Sequence, residues 1–141
     1  MSRGFTLPEM LIVLVIVGVM ACIAVPPLRR MLDRVAVSDA AERYASLHEL
    51  ARQTAVARGR LVRVELDTAG RSATLAVAAR GVWDTIATQS LGTARLSASR
   101  VAVTFSPIGV GFGVSNTRLI LARGAAAETL TVSRTGRLRR S

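Results

Sequence analysis

From residue 10 to residue 25 the chain reads MLIVLVIVGVMACIAV, a run without a charged side chain. The wider stretch 5–28 contains one charged residue, Glu9. A helix rises about 1.5 Å per residue, so this stretch would be about 36 Å long and could cross a bilayer core of roughly 30 Å. Because the run is apolar on every face, it favours a membrane-spanning helix over the buried core helix of a soluble protein.

A secretory signal peptide is a second alternative for this stretch. Such a peptide has a charged start, a shorter apolar region and a small-x-small cleavage site, which could be placed here at Ala21 or Ala24. The apolar run is long for that purpose, and it continues to Pro26 and Pro27. Prolines remove backbone donors from a helix, so we expect the helix to kink or break near Ala24.

The composition of the whole chain narrows the class of protein. Its 141 residues are half hydrophobic and carry a net charge of +10, from 19 arginines and nine acidic residues. One Cys excludes an intramolecular disulfide, and a single His offers little basis for a metal site or a Ser-His-Asp triad. We therefore expect no catalytic residues, no metal and no cofactor, but a membrane segment and an anionic partner.

Glu9 has two interpretations from its chemistry alone. A carboxylate in a membrane helix is costly and is kept for a partner or a function. It could equally be a charge at the helix end, since the helix dipole favours an anion in the first turn. The residue type and its position leave both interpretations open.

The first nine residues, MSRGFTLPE, resemble the leader and mature start of type IV pilins and type II secretion pseudopilins. The resemblance implies that residues 1–4 are a leader, that a prepilin peptidase cuts between Gly4 and Phe5, and that Phe5 is then N-methylated. It further implies that Glu9 acts in subunit assembly, where the Phe5 amine of a neighbouring subunit could neutralise it.

Beyond residue 28 the apolar residues change their spacing. Spacings of three and four predict an amphipathic helix over residues 29–58, closed by Gly59. The predicted apolar stripe comprises Leu28, Leu32, Val35, Ala41, Tyr44, Leu47, Ala51 and Ala55. His48, on the same helix, has no second metal ligand and is interpreted as structural or solvated.

After Gly59 the apolar residues alternate with polar ones, as in strands. Strands are predicted at 62–66, 73–78, 82–87, 101–105, 117–122 and 129–133, with a looser stretch at 88–100. Tight turns without intervening helices indicate an antiparallel sheet. The predicted fold class is α+β: a long N-terminal helix, transmembrane in its first half (5–28), packed on an antiparallel β-sheet domain over residues 59–141.

A second resemblance lies in the predicted sheet. The stretch FSPIG at residues 105–109, followed by Gly111 and Gly113, is similar to an element of GspH/FimT-type minor pilins. We interpret Pro107 and Gly109 as structural turn residues rather than a phosphate loop, because the dinucleotide spacing and a following helix are missing. Together the two resemblances imply a type IV pilin-like fold and a filament with other pilins or pseudopilins as partners.

The family also implies a location: a single pass through the bacterial inner membrane with a periplasmic C-terminal domain, and then the pilus or pseudopilus. The charges beside the span favour the opposite orientation, because Arg29, Arg30 and Arg34 follow it while Arg3 precedes it. We follow the family here, since the leader motif is more specific than a small charge bias.

The positive charge is concentrated in the last third of the chain. Residues 95–141 hold eight arginines and one acidic residue, a net charge of +7. On a strand, Arg137 and Arg139 would point to one face, and arginine forks bind phosphate oxygens without reading base sequence. This charge distribution suits a polyanion.

The stretch GRLR at residues 136–139 resembles the C-terminal element with which FimT-type minor pilins of naturally competent bacteria contact DNA. The resemblance implies sequence-independent binding of extracellular double-stranded DNA for uptake in natural transformation. The implied DNA-binding residues are Arg134, Arg137, Arg139 and Arg140, with Gly136 as a structural turn.

Two alternatives to DNA binding stay open. The basic tail could be solvated, or could meet anionic lipid or an acidic neighbouring pilin. The protein could then be a structural minor pseudopilin that initiates or caps a type II secretion pseudopilus or a type IV pilus without binding DNA.

Overall fold

The structure is a computed structural model that describes residues 6–141. The predicted cleavage between Gly4 and Phe5 and the predicted methylation of Phe5 lie outside the described residues. The described chain divides into two compact units, with the boundary between Leu32 and Asp33.

A single helix, α1 (Leu7–Arg58), forms the N-terminal part of the described chain. The backbone N–H of Thr6, just before the helix, donates to Glu9 Oε2 at 3.4 Å. This contact is the glutamate half of a capping box, which accounts for the start of the helix. At the other end Gly59 has a φ of +59°, so the predicted glycine cap is confirmed.

The helix runs through Pro26 and Pro27, so of the predicted kink or break near Ala24 the break is wrong, and the kink stays a prediction. Each proline lacks a backbone donor, but its fixed φ of about −65° is a helical value. The helix therefore loses hydrogen bonds at two positions without ending there.

In the first unit, every described residue of α1 up to Met31 is exposed, including the large apolar side chains of the run 10–25. By length and composition this part of the helix is able to cross a membrane. An apolar surface of this size needs cover from lipid or from other protein chains.

In the second unit, one face of α1 is buried, and its buried positions begin at Val37. They are Val37, Ala40, Ala41, Tyr44, Leu47, His48, Ala51 and Ala55. The prediction that Leu28, Leu32 and Val35 belong to this face is wrong, because all three side chains are more than half exposed. At spacings of three and four residues, these three positions lie on the same side of the helix as Asp39 and Glu42, which is its polar side.

Eight strands follow the helix. They are β1 (Val62–Asp67), β2 (Ser72–Ala79), β3 (Val82–Ser90), β4 (Arg95–Ala98), β5 (Ala102–Phe105), β6 (Thr117–Arg123), β7 (Ala126–Val132) and β8 (Leu138–Arg140). They form two four-stranded antiparallel sheets, with the strand orders β3-β2-β1-β5 and β4-β6-β7-β8.

The pattern of alternation predicted one sheet and did not indicate β4, which lies inside the stretch 88–100 interpreted as loose. Strand β4 has four residues and alternates over only two periods, too few to identify a strand by pattern. It pairs with β6, which is distant in the sequence, so only the tertiary fold defines it.

A common core joins α1 to the inner faces of both sheets. On β6, for example, Leu119 and Leu121 are fully buried while the residue between them, Ile120, is 40% exposed. Tyr44 and Phe105 are the largest fully buried side chains. The predicted α+β class, a long helix packed on antiparallel strands, is confirmed.

Two neighbouring substitutions on β6 test the division between inner and outer faces. Leu119→Ala should lower the free energy of unfolding by about 2–5 kcal/mol, because it leaves a cavity in the core. Ile120→Ala should lower it by less than about 1 kcal/mol, because the side chain is partly in solvent. Urea titration of the full chain in detergent, followed by circular dichroism, measures both, and equal losses would contradict the assigned faces.

Candidate functional site

The loop between β7 and β8 is a tight hairpin turn over residues 133–137. The Gly136 N–H donates to the Ser133 carbonyl at 2.9 Å, and the Ser133 N–H donates to the Arg137 carbonyl at 2.9 Å. Gly136 has a φ of +82°. This pattern is typical of a three-residue hairpin loop whose last residue is left-handed, and such a position favours glycine.

Gly136 is also packed too closely to carry a side chain. A Cβ atom placed on it would lie 2.8 Å from Cε1 of Phe105, whose ring is fully buried. Backbone conformation and space therefore both require glycine here. The prediction that Gly136 is a structural turn residue agrees with this geometry.

His48 connects the helix to this turn. Its Nε2 lies 2.8 Å from the Gly136 carbonyl oxygen, and because a carbonyl only accepts, Nε2 carries the hydrogen. The imidazole meets the Phe105 ring edge-on, with ring centroids 4.9 Å apart. Its Nδ1 is buried, with no hydrogen-bond partner among residues 6–141. His48 is thus structural and buried, and the solvated alternative is wrong.

Burial lowers the pKa of His48 below its usual value of about 6.5. Desolvation of the imidazolium is the largest cause, and the hydrogen bond to Gly136 opposes it in part. His48 is therefore neutral near pH 7, which agrees with a donor at Nε2 and a bare Nδ1.

A second turn with the same hydrogen-bond pattern lies over residues 106–110. The Gly109 N–H donates to the Ser106 carbonyl, and the Ser106 N–H donates to the Val110 carbonyl, both at 2.8 Å. Pro107 occupies the second position of the turn, where its fixed φ fits, and Gly109 has a φ of +74°. The predicted turn roles of Pro107 and Gly109 agree with this geometry.

Together the two turns and α1 line an open groove of about 600 Å³. His48 and Gly136 contribute to its wall, and Arg52 and Arg137 add positive charge at its edge. Glu49, also in the wall, is engaged by Arg52 at 3.1 Å. Within residues 6–141 no three His, Cys, Asp or Glu side chains are grouped closely enough to hold a metal ion.

Beyond the turn, β8 separates its arginines by face. Arg137 and Arg139 are exposed, whereas Leu138 between them is half-buried and packs against the core. Among the described residues, neither Arg137 nor Arg139 forms an ion pair, and Arg134 in the turn forms none either.

Arg140 points to the opposite face of β8 from Arg139, and its guanidinium forms two ion pairs. Its Nε lies 2.6 Å from Glu128 Oε1, and its Nη1 lies 2.7 Å from Glu42 Oε2. The hydrogen bond that Arg140 donates to Glu128 raises the pKa of Arg140 above its usual value. Arg140 therefore ties β8 to β7 and to α1, a role that the sequence analysis did not identify.

The structure also adds a basic residue that the sequence analysis missed. Arg118 on β6 pairs with Thr131 on β7, which pairs with Arg139 on β8. The three side chains share the outer face of the second sheet, so Arg118 and Arg139 are two strand spacings, about 10 Å, apart. Alternation within β6 predicts an exposed Arg118, but only the strand register places it beside Arg139.

Comparison with known families identifies both parts of the chain. Residues 1–25 match the prokaryotic N-terminal methylation motif, and residues 40–136 match the type II transport protein GspH. The chain belongs to the GspH family. Among curated protein sequences, none matches it.

Solved structures of similar fold agree with this assignment. The GspH-family chain is similar to the type IV minor pilin FimU of Pseudomonas aeruginosa, with 18% identity over 74% of this chain and 91% of that one, at a TM-score of 0.62. It is also similar to the minor pseudopilin EpsH of the Vibrio cholerae type II secretion system, with 13% identity over 77% and 97%, at a TM-score of 0.63. The pilin-like fold implied by the leader is thus confirmed.

Buried His48 should make the stability of this GspH-family chain depend on pH. The unfolded chain takes up the His48 proton at about pH 6.5, and the folded chain only at lower pH. The free energy of unfolding should therefore fall as the pH drops below 6.5. His48→Gln keeps a donor for Gly136 but does not titrate, so most of the slope between about pH 6.5 and 5.5, above the range where carboxyl groups such as Glu49 take up protons, should be lost in denaturant titrations. As His48 is the single histidine, an unchanged slope would contradict this assignment.

Gly136→Ala should destabilise the chain more than Gly92→Ala. Both residues have a positive φ, so both substitutions strain the backbone. A Cβ at Gly92 would enter open space, whereas one at Gly136 would press on Phe105. We expect Gly136→Ala to lower the free energy of unfolding by about 1–3 kcal/mol more than its control, measured in urea. Equal losses in the free energy of unfolding would show that the Phe105 ring moves aside without a free-energy penalty.

Proposed function

We propose that this minor pilin or pseudopilin of the GspH type binds extracellular double-stranded DNA without regard to sequence, for uptake in natural transformation. The contact surface is the outer face of the second sheet together with the turn that precedes β8. Its DNA-binding residues are Arg134, Arg137 and Arg139, extended across the sheet by Arg118.

One observation carries this proposal: Arg137 and Arg139 are exposed together on a turn that is held rigidly, and no carboxylate in the described chain neutralises them. Free guanidinium groups bind phosphate oxygens with short, charge-assisted hydrogen bonds. Because the His48 bond and the packing of Gly136 hold the turn, little ordering is needed on binding.

The remaining side chains of this surface fit a polyanion. The outward residues of the second sheet include Arg118, Thr131 and Arg139, and none of its outward positions is acidic. Glu128, the single acidic residue after residue 94, points inward to Arg140. We assign Arg140 to holding the strand, so that its contribution to DNA binding is indirect.

The same proposal includes maturation and placement. A prepilin peptidase removes residues 1–4 and methylates Phe5, and the exposed apolar helix anchors the chain in the inner membrane before it enters a filament. The second unit faces the periplasm. Glu9, whose carboxylate is exposed and caps its own helix weakly at 3.4 Å, is available to the Phe5 amine of a neighbouring subunit.

A second candidate function is purely structural. It is favoured by the match to the GspH model over residues 40–136 and by the likeness to EpsH, a minor pseudopilin of a type II secretion system. In that case the protein initiates or caps a type II secretion pseudopilus or a type IV pilus, and the basic face contacts a neighbouring subunit.

Retardation of a labelled DNA duplex by the full chain in detergent separates the two candidates. The parent chain should bind, and its affinity should fall steeply with salt. Arg137→Gln/Arg139→Gln should raise the Kd at least about ten-fold and reduce the salt slope by about 2, because two phosphate contacts are lost.

The matched control, Arg58→Gln/Arg60→Gln, removes the same charge from exposed positions at the end of α1 and should bind as the parent does. Binding by two unrelated duplex sequences should be equal. A parent chain that does not retard DNA, or a Gln variant of the turn that binds as tightly as the parent, favours the structural function.

A further inference from the structure

A second basic site lies away from the β8 turn, where the β1–β2, β3–β4 and β6–β7 connections meet. They border an open cleft of about 660 Å³. Three arginines line it, Arg71, Arg95 and Arg123, and the hydroxyl-bearing residues Thr68 and Thr93 stand among them. None of these five residues is among the proposed DNA-binding residues, although Arg95 lies at the start of β4 on the outer face of the second sheet.

The three arginines differ in how far they are neutralised. Arg123 Nε lies 3.0 Å from Asp33 Oδ1, and the same guanidinium donates to the Thr93 hydroxyl. Arg71 and Arg95 form no ion pair within residues 6–141. The cleft therefore keeps two uncompensated positive charges.

Nearby acidic residues are already committed. In the β1–β2 turn, Asp67 Oδ1 accepts hydrogen bonds from the backbone N–H groups of Ala69 and Gly70, at 3.0 and 2.9 Å. Asp33 is held by Arg123 and packs so closely on Gly124 that a Cβ there would strike its carboxylate. Asp33 is therefore committed to Arg123, and Asp67, which uses Oδ1 to hold the turn, forms no ion pair with Arg71 or Arg95 among the described residues.

The backbone around Arg71 is also held in place. Arg71 has a φ of +52°, a left-handed conformation that few residues other than glycine adopt. The Leu91 N–H donates to the Arg71 carbonyl at 2.8 Å and fixes this conformation across the first sheet. Hairpin turns use this conformation, as Arg80 does in the β2–β3 turn with a φ of +49°, so it fixes the Arg71 backbone without itself indicating a ligand.

The chemistry of the cleft suits a phosphate group. Two free guanidinium forks supply bidentate donors, the Thr68 hydroxyl can add another, and Arg123 contributes positive potential. An open cleft with these donors admits a phosphate carried on a larger molecule.

The chain itself indicates which phosphate is within reach. Asp33 is five residues after Leu28, the end of the predicted membrane span, so the covalent chain keeps their Cα atoms within about 18 Å. The headgroup layer of a bilayer extends roughly 5–7 Å beyond its apolar core, and so short a connection permits the cleft beside Asp33 to approach that layer. Arg29, Arg30 and Arg34 lie in the same connection and are attracted to anionic headgroups.

We propose that the cleft formed by Arg71, Arg95 and Arg123 binds the headgroup phosphate of an anionic phospholipid. Arg71 and Arg95 contact the phosphate, and Arg123 stays paired with Asp33. Lipid binding here holds the second unit near the membrane before the subunit enters a filament.

Native mass spectrometry of the full chain in detergent, titrated with phosphatidylglycerol, tests the proposal. The Arg71→Gln/Arg95→Gln variant should bind phosphatidylglycerol about ten-fold more weakly than the parent. Arg58→Gln/Arg60→Gln, which removes the same charge elsewhere, should match the parent. Thermal unfolding followed by circular dichroism verifies that both variants are folded.

Three further titrations, with phosphatidylcholine, inorganic phosphate and duplex DNA, identify the source of the phosphate. Phosphatidylcholine should bind weakly and equally to all three chains, since its headgroup has no net charge. Inorganic phosphate should compete only at much higher concentration. A cleft variant that binds phosphatidylglycerol like the parent overturns the proposal. Tighter binding of free phosphate than of phosphatidylglycerol also overturns it. So does a cleft variant that binds duplex DNA more weakly than the parent but binds phosphatidylglycerol equally well.

Discussion

A single buried hydrogen bond joins the helix to the end of the chain. His48, in the middle of the buried face of α1, donates to the carbonyl of Gly136, 88 residues later in the sequence. The His48 side chain is almost wholly buried, and its ring packs edge-to-face with Phe105. A buried polar contact of this kind is costly to leave unmade, so it sets where the last hairpin lies on the helix. The positions of the exposed arginines of that hairpin therefore depend on this hydrogen bond.

The arginines of the last third fall into two groups because strands alternate. Inward-facing Arg140 is tied to Glu42 and Glu128 and works as a structural cross-link between β8, β7 and the helix. Outward-facing Arg137 and Arg139 have no such partners among the described residues, and Arg118 joins them across the sheet. The inward arginine thus stabilises the fold, and the outward arginines are available to bind a polyanion.

Two other parts of the molecule also expose surfaces that suit a binding partner. The apolar part of α1 is uncovered within the described chain and needs lipid or neighbouring subunits, as expected of a family that assembles filaments. In the second cleft, Arg123 is paired with Asp33, whereas Arg71 and Arg95 form no ion pair within residues 6–141. The apolar surface suits lipid or neighbouring subunits, and the basic cleft suits the phosphate group that we assign to it.

Much of this protein was determined by local sequence. The apolar run, the leader motif, the glycine after α1 and the two turn glycines follow from composition, spacing and φ requirements, all of which act over a few residues. Most strands followed from alternation. Of the kink or break predicted near Ala24, the break is wrong because proline weakens a helix without forcing it to end.

Contacts between distant residues were decided only by the tertiary structure. The burial of His48, the pairing of Arg140, the strand β4, and the alignment of Arg118 with Arg139 all depend on which strand lies beside which. The sequence by itself determined how many arginines the chain carries and where they cluster. Only the fold decided which of them are neutralised, because that depends on carboxylates up to 98 residues away in the chain.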